Sequence, residues 1–440
     1  MEELVFCYPL EKINYSDPGG QIKDYSVTTE EEKTLRELAE KKAEIASLPV
    51  QKEKIKMWKK LNGLDRTRPL VWINEIPWHE MDFEDELKLT TVSPFARFLE
   101  TRLRRSIYQW NHMRADMIIE PKLPCYFKIS DSGFRISEDV EIATTDEDSD
   151  IYSRKFRRQI TDYEDIEKIK IPEVVFDAEA TERKYRSMVE IFGGILDIEK
   201  RGVPGFWFAP WDELIRWWGV QDAMLDLMDR SELVHSVLER LTNAYLSGLD
   251  QYEKANLLSL NNCNYRIGSG GLGYTDELPA DSFDPDNIRT ADLWGCGTAQ
   301  IFSCVSPQMH YEFALQYEIR WMERFGLNYY GCCEPLDRKI DLLGKIPNLR
   351  KISMSPWVDL DRASERMAKD YVISWKPNPE IFVGGSWDPE AVRTDLSNSL
   401  KKIRNNVVEI IMKDISSVEY KPQHLWEWSR IAVEEAERSA

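Results

Sequence analysis

The densest run of reactive side chains is Tyr329-Tyr330-Gly331-Cys332-Cys333-Glu334-Pro335, which sets two thiols and a carboxylate at the end of a short apolar stretch. If that stretch is a strand continued to its end, a period of two sends Tyr330, Cys332 and Glu334 to one face and Cys333 to the other. A thiolate and a carboxylate that converge suit zinc, a borderline-soft cation that accepts sulfur and oxygen together. Two buried thiols that merely fill space are the plainer reading of the same residues. A complete metal site needs more ligands than this segment holds, and Asp414, Glu277 or a histidine would supply the rest. The expected metal set is therefore Cys332, Cys333, Glu334 and Asp414. The histidines at 79, 112, 235, 310 and 424 have neither the His-Glu-x-x-His nor the His-x-x-x-His spacing, so no single helix carries a histidine-rich site.

Other candidates stand where apolar runs end. Trp211 and Trp357 are expected to wall a pocket for an aromatic or otherwise apolar ligand, with Asn262, Asn264 and Tyr330 as neutral polar contacts. Lys376 leads into the proline-locked turn Lys376-Pro377-Asn378-Pro379 and is expected to fix an anionic ligand or a neighbouring carboxylate, with Schiff-base chemistry as the alternative. Glu277, in Thr275-Asp276-Glu277, reads either as a second catalytic carboxylate beside Glu334 or as part of a solvated turn. Gly268-Ser269-Gly270-Gly271-Leu272-Gly273 matches Gly-x-Gly-x-x-Gly, but it lies several residues past a strand and leads into no helix. It is expected to be a mobile loop over the site rather than a phosphate cradle.

These groups need a scaffold that brings strand ends together. Short apolar runs at 70–74, 204–208, 257–261, 327–331, 349–354, 371–375 and 407–412 alternate with amphipathic helices near 93–113, 178–201, 212–229, 231–253, 308–325, 336–345, 360–369, 388–404 and 422–438. Such strands are too short and too apolar for a half-exposed sheet, and with one more inside 117–150 they make the eight of a (β/α)8 TIM barrel. Residues 1–65 form an N-terminal helical arm, in which Thr28 and Thr29 have capping-box spacing and Pro49 divides two helices. The arm is expected to be solvated or to pack on a second subunit of a homodimer. Residues 66–440 form the barrel, with a β-rich insertion near 117–170 built from the segments YFKIS, GFRIS and VEIATT.

Seventy-seven acidic residues against 58 basic ones leave a net charge of −19 and a pI near 4.9. No basic field holds a nucleic acid or an anionic membrane surface. No apolar run approaches the roughly 18 residues that span a bilayer, and the opening lacks the order of a secretory signal. Seven cysteines, an odd count and spread out except for the adjacent Cys332 and Cys333, fit a reducing compartment, so a cytoplasmic protein is expected.

Three stretches carry a resemblance: Arg68-Pro69-Leu70-Val71-Trp72 at the first strand, Gly219-Val220-Gln221-Asp222 ahead of Leu233-Val234-His235, and the closing Ile411-Met412-Lys413-Asp414. In their order, from about Arg68 to about Glu437, the chain resembles the uroporphyrinogen decarboxylase superfamily, a (β/α)8 barrel family that includes cobamide-dependent methyltransferases. The decarboxylases follow the first strand with an arginine that holds the substrate's carboxylates, whereas here the place reads Ile73-Asn74-Glu75-Ile76-Pro77-Trp78, with no cation. In the methyltransferases zinc is held by His-x-Cys and a later cysteine. Here Tyr330-Gly331-Cys332 and Lys413-Asp414-Ile415-Ser416 stand in the matching places. The resemblance thus implies a methyltransferase that takes a methyl group from a small donor, such as a methoxylated aromatic, and gives it to the corrinoid of a separate protein. A decarboxylase acting on a smaller acid, and a catalytically silent ligand-binding barrel, are the other readings.

Overall fold

Val407-Val408-Glu409-Ile410-Ile411-Met412 is buried at every position, so both faces of this strand must be covered. In the computed structural model of the protein, which describes residues 22–143 and 153–440, the cover is helical on one face and a folded loop on the other. The strands are β1 Leu70–Ile73, β2 Lys122–Tyr126, β3 Ile129–Asp131, β4 Val140–Ala143, β5 Ser153–Phe156, β6 Val174–Phe176, β7 Asp197–Arg201, β8 Trp294–Gly297, β9 Leu327–Tyr330, β10 Leu349–Met354, β11 Val372–Trp375 and β12 Val407–Met412. Six of them form a parallel sheet in the order β1-β12-β11-β10-β9-β8, with helices between successive strands, so the chain is an α/β fold.

The edges of this sheet are linked by smaller contacts. Asp116 N–H donates to Val71 O at 3.0 Å, β2 pairs in parallel with β7, and single parallel bridges join Val203 to Leu258 and Phe208 to Gly297. The runs at 204–208 and 257–261 are thus bridges rather than strands, and Pro204, with no N–H to give, breaks the first ladder. Register separates the two faces of the sheet. Tyr329 lies opposite Lys351, Ser353 opposite Ser374, and Ser374 opposite Glu409, so one face is polar. Ile352, Ile373, Val408 and Ile410 point the other way, into the main apolar core under the helices.

Several boundaries differ from expectation. The helix expected over 178–201 stops at Phe192, because Gly193 and Gly194, the latter at φ +81°, turn the chain out of it and into β7. The helix expected over 212–229 is two, Pro210–Trp218 and Val220–Asp229, broken at Gly219 with φ +81°. β8 was hidden by its two glycines. A Cβ on Gly295 would lie 2.5 Å from the Phe325 ring, so a side chain is excluded there. In the insertion, β3 pairs antiparallel with β6 and β4 with β5, while GFRIS is a turn and irregular chain; the end of VEIATT lies outside the described residues.

The N-terminal helices do not stand off as a solvated arm. Thr28 and Glu31 form the capping box of helix Thr29–Ser47, whose Leu35, Leu38 and Ala39 pack against Phe95, Leu99 and Leu103. Trp58 and Leu61, on helix Pro49–Asn62, lie against Leu70, Val372 and Val407, the first residues of three strands, and so cover the amino end of the sheet. Among the described residues no helix is long and apolar enough to cross a membrane.

Candidate active site

The polar face of the sheet is filled by the glycine loop. Residues 266–272 fold into a tight hairpin, with Arg266 bridged to Leu272 and Ile267 N–H donating to Gly271 O at 3.0 Å. A Cβ on Gly268 would lie 2.4 Å from Tyr329 Cδ1, one on Gly270 2.4 Å from Glu409 Oε1, and one on Gly271 2.3 Å from Trp58 Cη2. These glycines are required by close approach, and the loop is a buried plug rather than a mobile cover. At its base Lys351 Nζ and Glu409 Oε2 form an ion pair of 2.8 Å with both side chains fully buried, and Gly271 N–H donates to Glu409 Oε1 at 3.2 Å. One layer up, Ser269 Oγ lies 2.9 Å from Tyr329 Oη, and Lys376 Nζ donates to Tyr329 Oη at 2.5 Å and Ser374 Oγ at 2.9 Å. Burial pushes the Lys376 ammonium down to about 7.

Above that layer, at the carboxyl ends of β1, β9 and β12, ionisable groups converge. Cys332 Sγ and Cys333 Sγ are 3.5 Å apart. Lys413 Nζ lies 3.6 Å from the first sulfur, 3.8 Å from the second, 2.6 Å from Asp414 Oδ2 and 3.5 Å from Glu75 Oε2. Asp414 Oδ2 is 3.4 Å from Cys333 Sγ, and Arg266 Nη1 donates to Glu75 Oε1 at 3.0 Å. Burial raises the Asp414 carboxyl, and Glu75 adds to this against the pull of Lys413. For Glu75 burial also acts upward, but Lys413 and Arg266 reverse it and hold the carboxylate near about 2. The hydrogen bond to Cys333 lowers the Cys332 thiol, with Lys413 acting the same way against burial. Two non-glycine residues here, Glu75 at φ +50° and Asp414 at φ +56°, hold left-handed backbone, a strain that clusters at functional sites. Three buried atoms nearby, Asn74 Nδ2 after β1, Ser355 Oγ after β10 and Arg266 Nε in the glycine loop, have no hydrogen-bond partner among the described residues.

The residues of the expected zinc set do not fit a zinc ion in this arrangement. The Lys413 ammonium lies within 3.8 Å of both sulfurs and 2.6 Å from Asp414, so the donors already surround a positive charge. Glu334 points elsewhere, accepting from Thr298 Oγ1 at 2.8 Å and from Cys332 N–H at 2.8 Å. Gly331, at φ +97°, ends the alternation that would have put Glu334 beside Cys332. Among the described residues no group of three or more His, Cys, Asp or Glu side chains is arranged to hold a metal ion.

The remaining candidates are not brought together. Tyr330 faces the helices, where its hydroxyl donates to Glu318 Oε2 at 2.6 Å and meets His310 Nε2 at 2.7 Å, with Lys339 on the far ring nitrogen at 2.9 Å. Trp211 is buried and donates to Phe313 O at 2.7 Å, while Trp357 is 66% exposed. Asn262 and Asn264 spend their amides on Leu278 O and Ile118 O, so no indole-and-amide pocket forms. Glu277 is paired with Arg350 at 2.7 Å, near the start of β10 and therefore at the amino end of the sheet. Arg266 was not anticipated. Its place between Tyr265 and Ile267 in a glycine-rich stretch was the available sign of a buried cation, and it supplies the charge that the residues after the first strand lack.

The chain matches no protein-family model and no curated protein. Among solved structures it is similar to a methyltransferase from Methanosarcina mazei, with 10% sequence identity and a TM-score of 0.49 over 87% of this chain and 97% of that one. So distant a likeness leaves the chemistry to be read from this chain's own residues.

Proposed function

We propose that the chain is a methyltransferase that takes a methyl group from a small donor and passes it to the corrinoid of a separate protein, its strands closing into a (β/α)8 barrel through the contacts between the β1 and β8 edges. The observation that carries the reading is the meeting of two thiols, an ammonium and a raised carboxyl where β9 and β12 end, the end at which parallel α/β sheets present reactive groups. The choice of methyl transfer and of a corrinoid carrier rests on the resemblance of Arg68–Trp72, Gly219–Asp222 and Ile411–Asp414, in their order, to the uroporphyrinogen decarboxylase superfamily, and on Ile73–Trp78 holding no cation where the decarboxylases have one. A reduced corrinoid supplies the nucleophile for the methyl carbon. Asp414, with a carboxyl raised by burial, delivers a proton to the departing oxygen, nitrogen or sulfur, and Lys413 at 2.6 Å balances the carboxylate left behind. Glu75 and Arg266 fix Lys413 from the other side, and Glu334 fixes the backbone of Cys332.

With no indole-and-amide pocket assembled, a methoxylated aromatic has no particular support. Arg266 and Lys413 instead favour a donor that carries an anionic group. The same cations favour, as a second reading, decarboxylation of a small acid. Both readings are tested by methyl ethers, methylamines and methyl thioethers, each with and without a carboxylate, supplied with free reduced cobalamin. Loss of the reduced-cobalamin absorbance supports methyl transfer, whereas carbon dioxide release from an acid with no change in absorbance supports the decarboxylase.

A further inference from the structure

We propose that Cys332 and Cys333 are an oxidation site, converted by hydroperoxides into a disulfide between the two neighbours and returned by a dithiol. The proposal stands on the geometry of the pair and does not depend on methyl transfer. Their sulfurs are 3.5 Å apart, so an approach of roughly 1.5 Å reaches the bonding distance near 2.05 Å. Cys333 is exposed and Cys332 lies just behind it, 8% exposed. An oxidant therefore meets the outer thiol and its partner at one place. Lys413 Nζ, within 3.6 and 3.8 Å of the sulfurs, favours the thiolate that begins the reaction. Of the other described cysteines, Cys125 and Cys296 are buried, Cys263 is half-buried against Leu260 O, and Cys304 is exposed elsewhere.

The steps balance. One thiolate attacks the outer oxygen of the hydroperoxide, the O–O bond breaks, and the alcohol leaves with a proton while the sulfur becomes a sulfenic acid. The neighbouring thiol attacks that sulfur, the S–S bond forms, the S–O bond breaks, and water departs with the second thiol's proton. Two thiols and one hydroperoxide thus give one disulfide, one alcohol and one water, the two electrons coming from the sulfurs. Consecutive Cα atoms stand only about 3.8 Å apart, whereas disulfides usually span about 4.4–6.8 Å. The closed ring is strained and easily reduced, which makes the modification reversible.

The test treats the full chain with hydrogen peroxide and maps its peptides by mass. The expected result is loss of two hydrogens, about 2 Da, on the peptide that holds both cysteines, reversed by dithiothreitol. Cys332→Ser should stop at a sulfenic acid on Cys333 that dimedone traps, and Cys304→Ser should leave the wild-type pattern unchanged. Sulfinic or sulfonic acid on Cys333 without the two-hydrogen loss, or a bridge to Cys304 or to a second chain, would overturn the proposal.

Discussion

Replacing Lys351 by methionine removes one half of a fully buried ion pair and strands the other. Among the described residues Glu409 would keep the Gly271 N–H at 3.2 Å as its remaining donor, near the rings of Trp58 and Trp294 that lie 5.7 and 5.6 Å from the lysine nitrogen. Breaking a buried pair in this way costs about 3–5 kcal/mol. Adding Glu409→Gln removes the stranded charge yet keeps an oxygen for Gly271 N–H, so the double variant should lie about 1–2 kcal/mol below the wild type. Adding Glu409→Gln to Lys351→Met should therefore restore about 2–3 kcal/mol, where additive effects would remove more. Urea unfolding of the four proteins at neutral pH, followed by tryptophan fluorescence, measures the cycle. Additive effects, or single variants within about 1 kcal/mol of the wild type, would refute the assignment of this pair to a dry, plugged interior.

Gly271→Ala should cost about 1–3 kcal/mol, because its Cβ would lie 2.3 Å from Trp58 Cη2, and a mobile loop would absorb the change without loss in thermal unfolding. Burial acts upward on the Glu31 carboxyl, but donors at Thr28, Val92 and Ser93 outweigh it and bring it from 4.5 to about 2. A folded value below the unfolded one stabilises the protein above pH 4.5, and this is lost as pH falls towards 2; acid unfolding of Glu31→Gln should lack this component. Lys376 should titrate near 7 in a carbon-13 NMR titration of its Cε, while surface lysines titrate near about 10.4; a midpoint close to theirs would contradict its burial under Tyr329.

The parts of the fold legible in the sequence were those where one period rules. LRKISM and VVEIIM are strands at the expected residues, because apolar side chains recur on the helix-facing side whatever the other face carries. Glu409, the one charge in VVEIIM, and Lys351, which alternation sets on the face opposite Arg350 in LRKISM, were themselves the sign of a buried pair. Alternation failed at Gly331, where positive φ turns the chain and parts Glu334 from the thiols. The glycine loop could not be placed, since glycines that allow motion and glycines that allow close packing read alike until a Cβ is built on each. Cys332, Cys333 and Asp414 do meet, but the lysine beside Asp414 changes what they can hold, and that follows only from the folded chain, which sets Lys413 Nζ 3.6 and 3.8 Å from the two sulfurs.

The most direct test of the account is the pH dependence of methyl transfer to reduced cobalamin in the wild type and in Asp414→Asn. If Asp414 donates the proton to the leaving atom, the wild-type rate falls as the raised carboxyl ionises, and the variant loses about 10²–10⁴-fold in kcat together with that pH dependence. An Asp414→Asn enzyme with the wild-type rate and an unchanged profile would contradict the placement of the reaction at the carboxyl end of β12.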